Sequence, residues 1–375
     1  MTDARQLAAP KGVLWALIIG AVGVIGGIGI AFVDPGITLQ GWLAAAFALS
    51  AMPIGTLGLL LLHALAGGPW GPMLEPVLQA SLRMLPLFAL AFIPIIATPS
   101  LVYVWAASDG AADANIAAKA AYLDPHFFAV RTLVYFAIWM ALAALLDARN
   151  RNRAAGGRLT PAIGMIVYAI TVSIAAIELA MSVDPRFSSS VFGLLVGIAD
   201  MLAALAFAIV LVAWVGPPAQ RSAGEDHRVR DALAGLLAAG VLLWAYLSFM
   251  QYLIVWSGDI PADTGWYLDR VAGAWRLVPW ALGLLLGALP VIALALPAGR
   301  RSLARLAGIA ALIFVMRFVE AVWLVLPSFA WRGWLQPVAL LSATVGLGGL
   351  GLASVLWYWE RGSRRTATAE MAQHG

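Results

Sequence analysis

Apolar residues in this chain do not alternate and do not form narrow helical stripes; they run in ten long blocks, each closed by a short polar or glycine- and proline-containing stretch. The blocks fall at about 13–33, 39–66, 82–107, 126–147, 159–183, 188–214, 233–256, 271–296, 303–327 and 336–358. Runs of this length match the roughly 20 residues a helix needs to cross a bilayer, and they exceed the length of a barrel strand. Hydrocarbon offers the backbone no hydrogen-bond partners, so each block is read as a helix. The expected fold is an all-α polytopic membrane protein of ten transmembrane helices. It is one integral membrane domain over 1–375: six spans in 13–214, a linker at 216–231 carrying Pro217 and Pro218, four spans in 233–358, and a tail at 359–375.

Charge then orients the helices. Of 23 Lys and Arg residues, sixteen fall on one side of this threading: Arg5, Lys11, Arg83, Arg149, Arg151, Arg153, Arg158, Arg221, Arg228, Arg230, Arg300, Arg301, Arg305, Arg361, Arg364 and Arg365. The opposite connections hold only Lys119, Arg186, Arg270 and Arg332, and they carry Asp34, Asp109, Asp113, Asp124, Asp184, Asp259, Asp263 and Asp269. The positive-inside rule puts both termini in the cytoplasm and the acids outside. Asp34, Asp124 and Asp184 each precede a proline, a pairing that suits a helix cap followed by the first turn, so they are expected to start spans two, four and six.

Composition agrees. The chain is 62% hydrophobic and 11% charged, with mean hydropathy +0.90, against roughly 25% charged residues in soluble domains. The net charge of +4 follows from the basic connections and gives no argument for nucleic acid. No cysteine is present, which removes disulfides, thiolate chemistry and cysteine-ligated clusters from this chain. The two histidines near spans, His63 and His126, fall at opposite membrane faces, so no bis-histidine haem site is expected, and no metal or covalent cofactor is expected here.

Ionisable side chains inside lipid cost roughly 2.5–3.5 kcal/mol each on insertion scales, which makes them candidates for function. Five qualify: Arg131, Glu178, Asp200, Arg317 and Glu320. Arg317 and Glu320, three apart, share a helix face and are expected to pair. Glu178 and Asp200 have no neutralising neighbour in sequence, and Arg131 has the reach to snorkel outward. Two readings stay open for the set: a polar path for protons or a quinone headgroup, or interhelical pairing that only satisfies charge. Sixteen tryptophans, among them Trp256, Trp266, Trp275, Trp280, Trp357 and Trp359, are read mainly as interfacial belts.

Four segments carry a resemblance: Gly-Gly-Pro-Trp-Gly at 67–71, Ala-Tyr-Leu-Asp-Pro-His-Phe-Phe-Ala-Val-Arg at 121–131, Met-Ser-Val-Asp-Pro-Arg-Phe-Ser-Ser-Ser-Val-Phe-Gly at 181–193, and the run from Ser248 to Tyr267. Together they resemble the ActF-type membrane subunit of alternative complex III, a bacterial quinol:cytochrome c (or electron acceptor) oxidoreductase, within the NrfD/PsrC-like group. The resemblance implies two four-helix bundles with flanking helices, in the bacterial inner membrane. It implies a related membrane subunit and periplasmic cytochrome c and iron–sulfur subunits as partners, with haem and clusters held by those partners. Menaquinone or ubiquinone is the implied redox substrate of the complex. The chain itself would be a non-catalytic or quinone-binding subunit concerned with assembly and proton movement. Asp184, Gln251, Asp259 and Asp263, at the acid-bearing face, are then the candidates for docking the periplasmic partners. The alternative is a secondary transporter with a midplane substrate or ion site, for which matching helix interruptions in two repeats are expected and none is legible in the sequence.

Overall fold

The computed structural model describes residues 3–107, 117, 119, 122–151, 158–216 and 223–374; the side chains of 3–10, 150, 151, 223 and 362–374 are excluded. Asp109, Asp113, Arg153 and Arg221 lie outside the described residues, as do the side chains of Arg5, Arg151, Arg364 and Arg365. Among the described residues there is helix and no strand, and ten segments are long and apolar enough to cross a membrane. They are span 1 (Lys11–Ala31), span 2 (Pro35–Ala66), span 3 (Gly71–Ala97), span 4 (Pro125–Arg149), span 5 (Leu159–Val183), span 6 (Phe192–Val215), span 7 (Gly224–Gly258), span 8 (Gly273–Ala295), span 9 (Leu303–Ser328) and span 10 (Leu335–Arg361). The chain is an all-α, multi-pass membrane protein.

Packing sorts the spans into two rings. Spans 2, 3, 4 and 5 close one four-helix bundle and spans 6, 7, 8 and 9 close another, the two joined along spans 2, 5, 6 and 9. Spans 1 and 10 pack on each other and lean on span 2. Small residues set that flank: a methyl added at Gly23 would sit 2.3 Å from the Gly346 nitrogen, and one at Gly20 would sit 2.7 Å from the Leu350 nitrogen. Such close backbones are the usual basis of helix association where lipid removes the hydrophobic drive. The Ser342 hydroxyl adds a 2.7 Å bond to the Gly23 carbonyl.

A shift of four spans preserves direction across the membrane, so the two bundles form a parallel repeat. Sequence supports it once the bundles are aligned. Tyr122, Leu123, Asp124 and Arg131 ahead of and inside span 4 recur at one constant offset as Tyr267, Leu268, Asp269 and Arg276 around span 8. At the same offset, the carbonyls of Leu179 and Leu324 end spans 5 and 9, followed by 3₁₀ turns at Met181–Val183 and Leu326–Ser328. Each carbonyl takes a side-chain donor from the preceding connection: the Tyr103 hydroxyl at 3.0 Å in one bundle, the Arg270 guanidinium at 2.6 Å in the other.

Several expectations are corrected. Helix resumes at Gly71 rather than near 82, because Gly67 and Gly68, at φ 72° and 120°, turn the chain straight back. Arg83 nevertheless sits at the basic end: it pairs with Asp147 and lies 6.0 Å from the Tyr358 ring centroid. Tyr103 lies level with the end of span 5. The crossing thus runs from about Arg83 to Tyr103, and Gly71–Leu82 is an additional helix packed on spans 2, 6 and 10. Pro86, Pro94 and Pro99 break that crossing into short pieces. Asp34 and Asp124 do cap helices, accepting from the Ile37 and Phe127 amides at 2.9 and 2.8 Å. Asp184 does not, since span 6 starts only at Phe192; its carboxylate binds the Arg186 amide and guanidinium instead. Of the expected linker at 216–231, residues 223–231 belong to the continuous helix Ala223–Gly258 and 217–222 lie outside the described residues; the last helix runs on from Leu335 to His374.

Candidate functional site

A close backbone contact between the bundles lies beside an acid. A methyl added at Gly55 of span 2 would stand 1.9 Å from the Asp200 carbonyl oxygen in span 6, so glycine is what lets these two backbones touch. Asp200, only 9% exposed, faces Arg317 of span 9 across a cavity also lined by Phe47, Val196, Phe314 and Phe318. The cavity measures about 10 Å³, the room one water needs. Arg317 pairs with Glu320 one turn along, as its spacing predicts, and the Trp244 indole of span 7 donates to the Glu320 carboxylate at 2.8 Å. Arg317, Glu320 and Asp200 are all buried. The Tyr168 hydroxyl, on the Asp200 side of span 5, is buried without a hydrogen-bond partner.

A second cluster forms where span 5 ends. Glu178, 1% exposed, is held by the Arg131 guanidinium of span 4 at 2.7 Å and by the Tyr122 hydroxyl. Arg131 does not snorkel. It folds back over the Tyr122 and Phe127 rings, 4.1 and 3.9 Å from their centroids, and donates to the Tyr122 carbonyl at 2.9 Å. Tyr122 is 42% exposed and so links this pair to the surface. Burial first, then its bond to Glu178, pushes the Tyr122 hydroxyl up to about 12.

Gly193 touches the Ser173 backbone, which fixes the relative height of spans 5 and 6. Counting from that contact, Glu178 lies five residues toward the acidic end and Asp200 seven toward the basic end, roughly 18 Å apart at 1.5 Å per residue. The five expected residues therefore make two clusters, not one continuous track. Sequence neighbours supplied no partner for Glu178 or Asp200; the arginines of other spans do.

The segments 181–193 and 248–267, far apart in sequence, meet at the acidic end. The Asp263 carboxylate accepts from the Ser188 amide at 3.0 Å, and Gln251 accepts from the Ser189 hydroxyl at 3.1 Å while donating to Tyr267 at 3.3 Å. Asp184 and Gln251 are buried, which takes both out of the docking surface expected for them. Asp259 is exposed and adopts φ 45°, and Asp263 is half-buried.

Sequence reasoning misses Arg270, which reads as a charge in an outer connection. It is 1% exposed, over the Trp266 ring at 3.5 Å, and donates to the Trp266 and Leu324 carbonyls and to Ser328 at 3.0, 2.6 and 2.9 Å. Burial lowers its proton affinity, and Asp184 and Asp269 oppose that. Trp266 is buried too, stacked on Phe187 at 4.3 Å, and leaves the interfacial belt assigned to it. The one available signal was the spacing of Trp266 and Arg270, four apart on a short helix. His63 stays structural: Nδ1 lies 3.2 Å from the Gly67 carbonyl and its ring meets Trp70.

The fit of a quinone can be tested against the cavities. The midplane cavity and a second one at the basic end, lined by Leu61, Leu142, Arg149 and Thr160, each hold about 10 Å³. A water fits either of these; a quinone ring does not. Among the described residues no three His, Asp or Glu side chains converge as metal ligands. No family model matches the chain, and no curated protein matches it.

Proposed function

We propose that this chain is an integral membrane subunit of a quinol:electron acceptor oxidoreductase, that it handles protons and anchors partner subunits, and that quinol is oxidised elsewhere in the complex. What carries the proton role is the bundle interface, where the Asp200 carboxylate faces, across a water-sized cavity, the Arg317 guanidinium that is already paired with Glu320. Two carboxylates against one cation leave one negative charge uncompensated among apolar walls, and a proton cancels it at far lower cost than an unpaired charge. The set thus has room for one exchangeable proton, with the cavity water as its carrier. The Glu178, Arg131 and Tyr122 cluster is a second, separate charged site near the acidic end, with Tyr122 reaching the surface.

The membership in a redox complex rests on the four resembling segments, two of which the fold packs together through Ser188, Ser189, Gln251 and Asp263. The exposed Asp259, with Asp263 beside it, is then the acidic surface for a basic partner. A midplane solute site, as the transporter alternative requires, needs more room than one water. Span 3 is broken by prolines and span 8 carries a π-helical stretch at Leu282–Ala288, but the buried acids sit on spans 5, 6 and 9.

The test is Asp200→Asn and Glu320→Gln in the complex purified in mild detergent and reconstituted in vesicles. Quinol turnover should survive within about twofold while protons moved per electron fall. An unchanged ratio in both variants removes the proton role. A protein that purifies without redox partners and takes up solute in vesicles overturns the assignment altogether.

A further inference from the structure

The cavity at the basic end between spans 4 and 5 plays no part in that scheme, yet it has a definite composition. Its walls are Leu61, Leu142, Leu145, Leu146, Pro161 and Gly164, and its polar mouth is Arg149 and Thr160. The cleft is narrow at Gly164, since a methyl there would already stand 2.8 Å from Leu61. Leu145 is 53% exposed and Thr160 is exposed, so the cleft opens on the lipid-facing surface at the level where the helices end.

Among the described residues Arg149 has no anion beside it. Its Nη1 atom is buried with no hydrogen-bond partner, and among the described residues it forms no ion pair. The nearest acid in sequence, Asp147, is taken by Arg83. The following residues, Asn150 to Gly157, contain no acid and add Arg151 and Arg153, and Arg158 follows. A guanidinium at a helix end beside lipid-facing leucine, with no counter-ion among the described residues, matches the amphiphilic shape of a lipid: phosphate at the mouth of the cleft, acyl carbon along the outer surface at Leu145.

We propose that the mouth of this cleft binds the headgroup of an anionic phospholipid, with Arg149 and Thr160 taking the phosphate and the acyl chains staying outside, on the lipid-facing surface past the exposed Leu145, since the cleft itself has room only for a water. Arginine suits the role because its planar fork presents two donors to two phosphate oxygens at once. The site is independent of the proton-handling reading and would exist in a subunit of any activity.

Native mass spectrometry of the full chain in mild detergent, titrated with phosphatidylglycerol or with phosphatidylcholine of the same acyl chains, tests it. One phosphatidylglycerol should be retained about tenfold more tightly than phosphatidylcholine. Arg149→Gln should lose that selectivity, while Arg158→Gln, which does not line the cleft, should keep it. Equal retention of the two lipids by the wild-type protein overturns the proposal without any variant. Equal loss in both variants reduces the effect to unspecific attraction and overturns it as well. Displacement of the lipid by millimolar inorganic phosphate would identify the ligand as a free anion rather than a lipid.

Discussion

Replacing Gly55 by alanine should separate the two bundles at the level of Asp200. The added methyl would lie 1.9 Å from the Asp200 carbonyl oxygen and 2.3 Å from its carbon, and both are backbone atoms that cannot rotate away. An ordinary contact begins near 3.4 Å, so spans 2 and 6 must part by about 1.5 Å. A gap of 0.5–1 Å already forfeits a quarter to a half of each dispersion contact. The loss is shared by the residues packed along that crossing, and places the cost at the upper end of overpacking, about 3 kcal/mol. That is roughly 140-fold in the folded ratio at tenfold per 1.4 kcal/mol. Gly29→Ala is the matched control, because nothing lies within 4 Å of a methyl there. Thermal unfolding in detergent, followed by fluorescence-detected size exclusion, compares the two. Gly29→Ala should melt with the wild-type chain and Gly55→Ala well below it. Equal melting of both variants would refute the claim that glycine at 55 sets the bundle-to-bundle distance.

Removing one member of the Glu178–Arg131 pair should cost about 3–5 kcal/mol, because the other charge stays buried alone, whereas the double variant Arg131→Gln with Glu178→Gln should recover part of the loss; a double-mutant cycle with no coupling would sink the pairing. Alkaline pH should weaken the acidic end. Burial holds the Tyr122 and Tyr267 hydroxyls up at about 12, while unfolded tyrosines titrate near 10, so this contribution is intact below pH 10 and drains away between about 10 and 12. Denaturant titrations across that window should show the decline, with a shallower slope for Tyr122→Phe; a flat profile contradicts it. Finally, the chain has no cysteine, so single cysteines placed at Asp259 and at Arg158 should label from opposite sides of sealed vesicles, with Arg158 on the cytoplasmic side. Labelling of both from one side would break the topology.

Ten spans were legible in the sequence because bilayer thickness and backbone satisfaction act on local composition, which a linear reading captures. Asp34 and Asp124 were legible as caps for the same reason, since capping joins residues three apart. So was the Arg317–Glu320 pair, which one helix turn brings together. Partnerships between spans were not. Glu178 meets Arg131, and Asp200 faces Arg317, only because helices far apart in sequence pack side by side, and long apolar helices carry little periodicity to say which face meets which neighbour. The parallel repeat was faint for a related reason: packing fixed its frame, while most lipid-facing and core positions exchange freely among apolar residues. Arg270 illustrates the limit most clearly. Its residue type, beside an acidic connection, reads as a surface charge; its burial was decided by Trp266, Leu324 and Ser328, two of which arrive from another span. Sequence determined that the chain lives in a membrane and where it crosses. Which charges neutralise one another, and where a water or a lipid phosphate finds room, was decided by tertiary packing, because those properties belong to distances between helices and not to any stretch of chain.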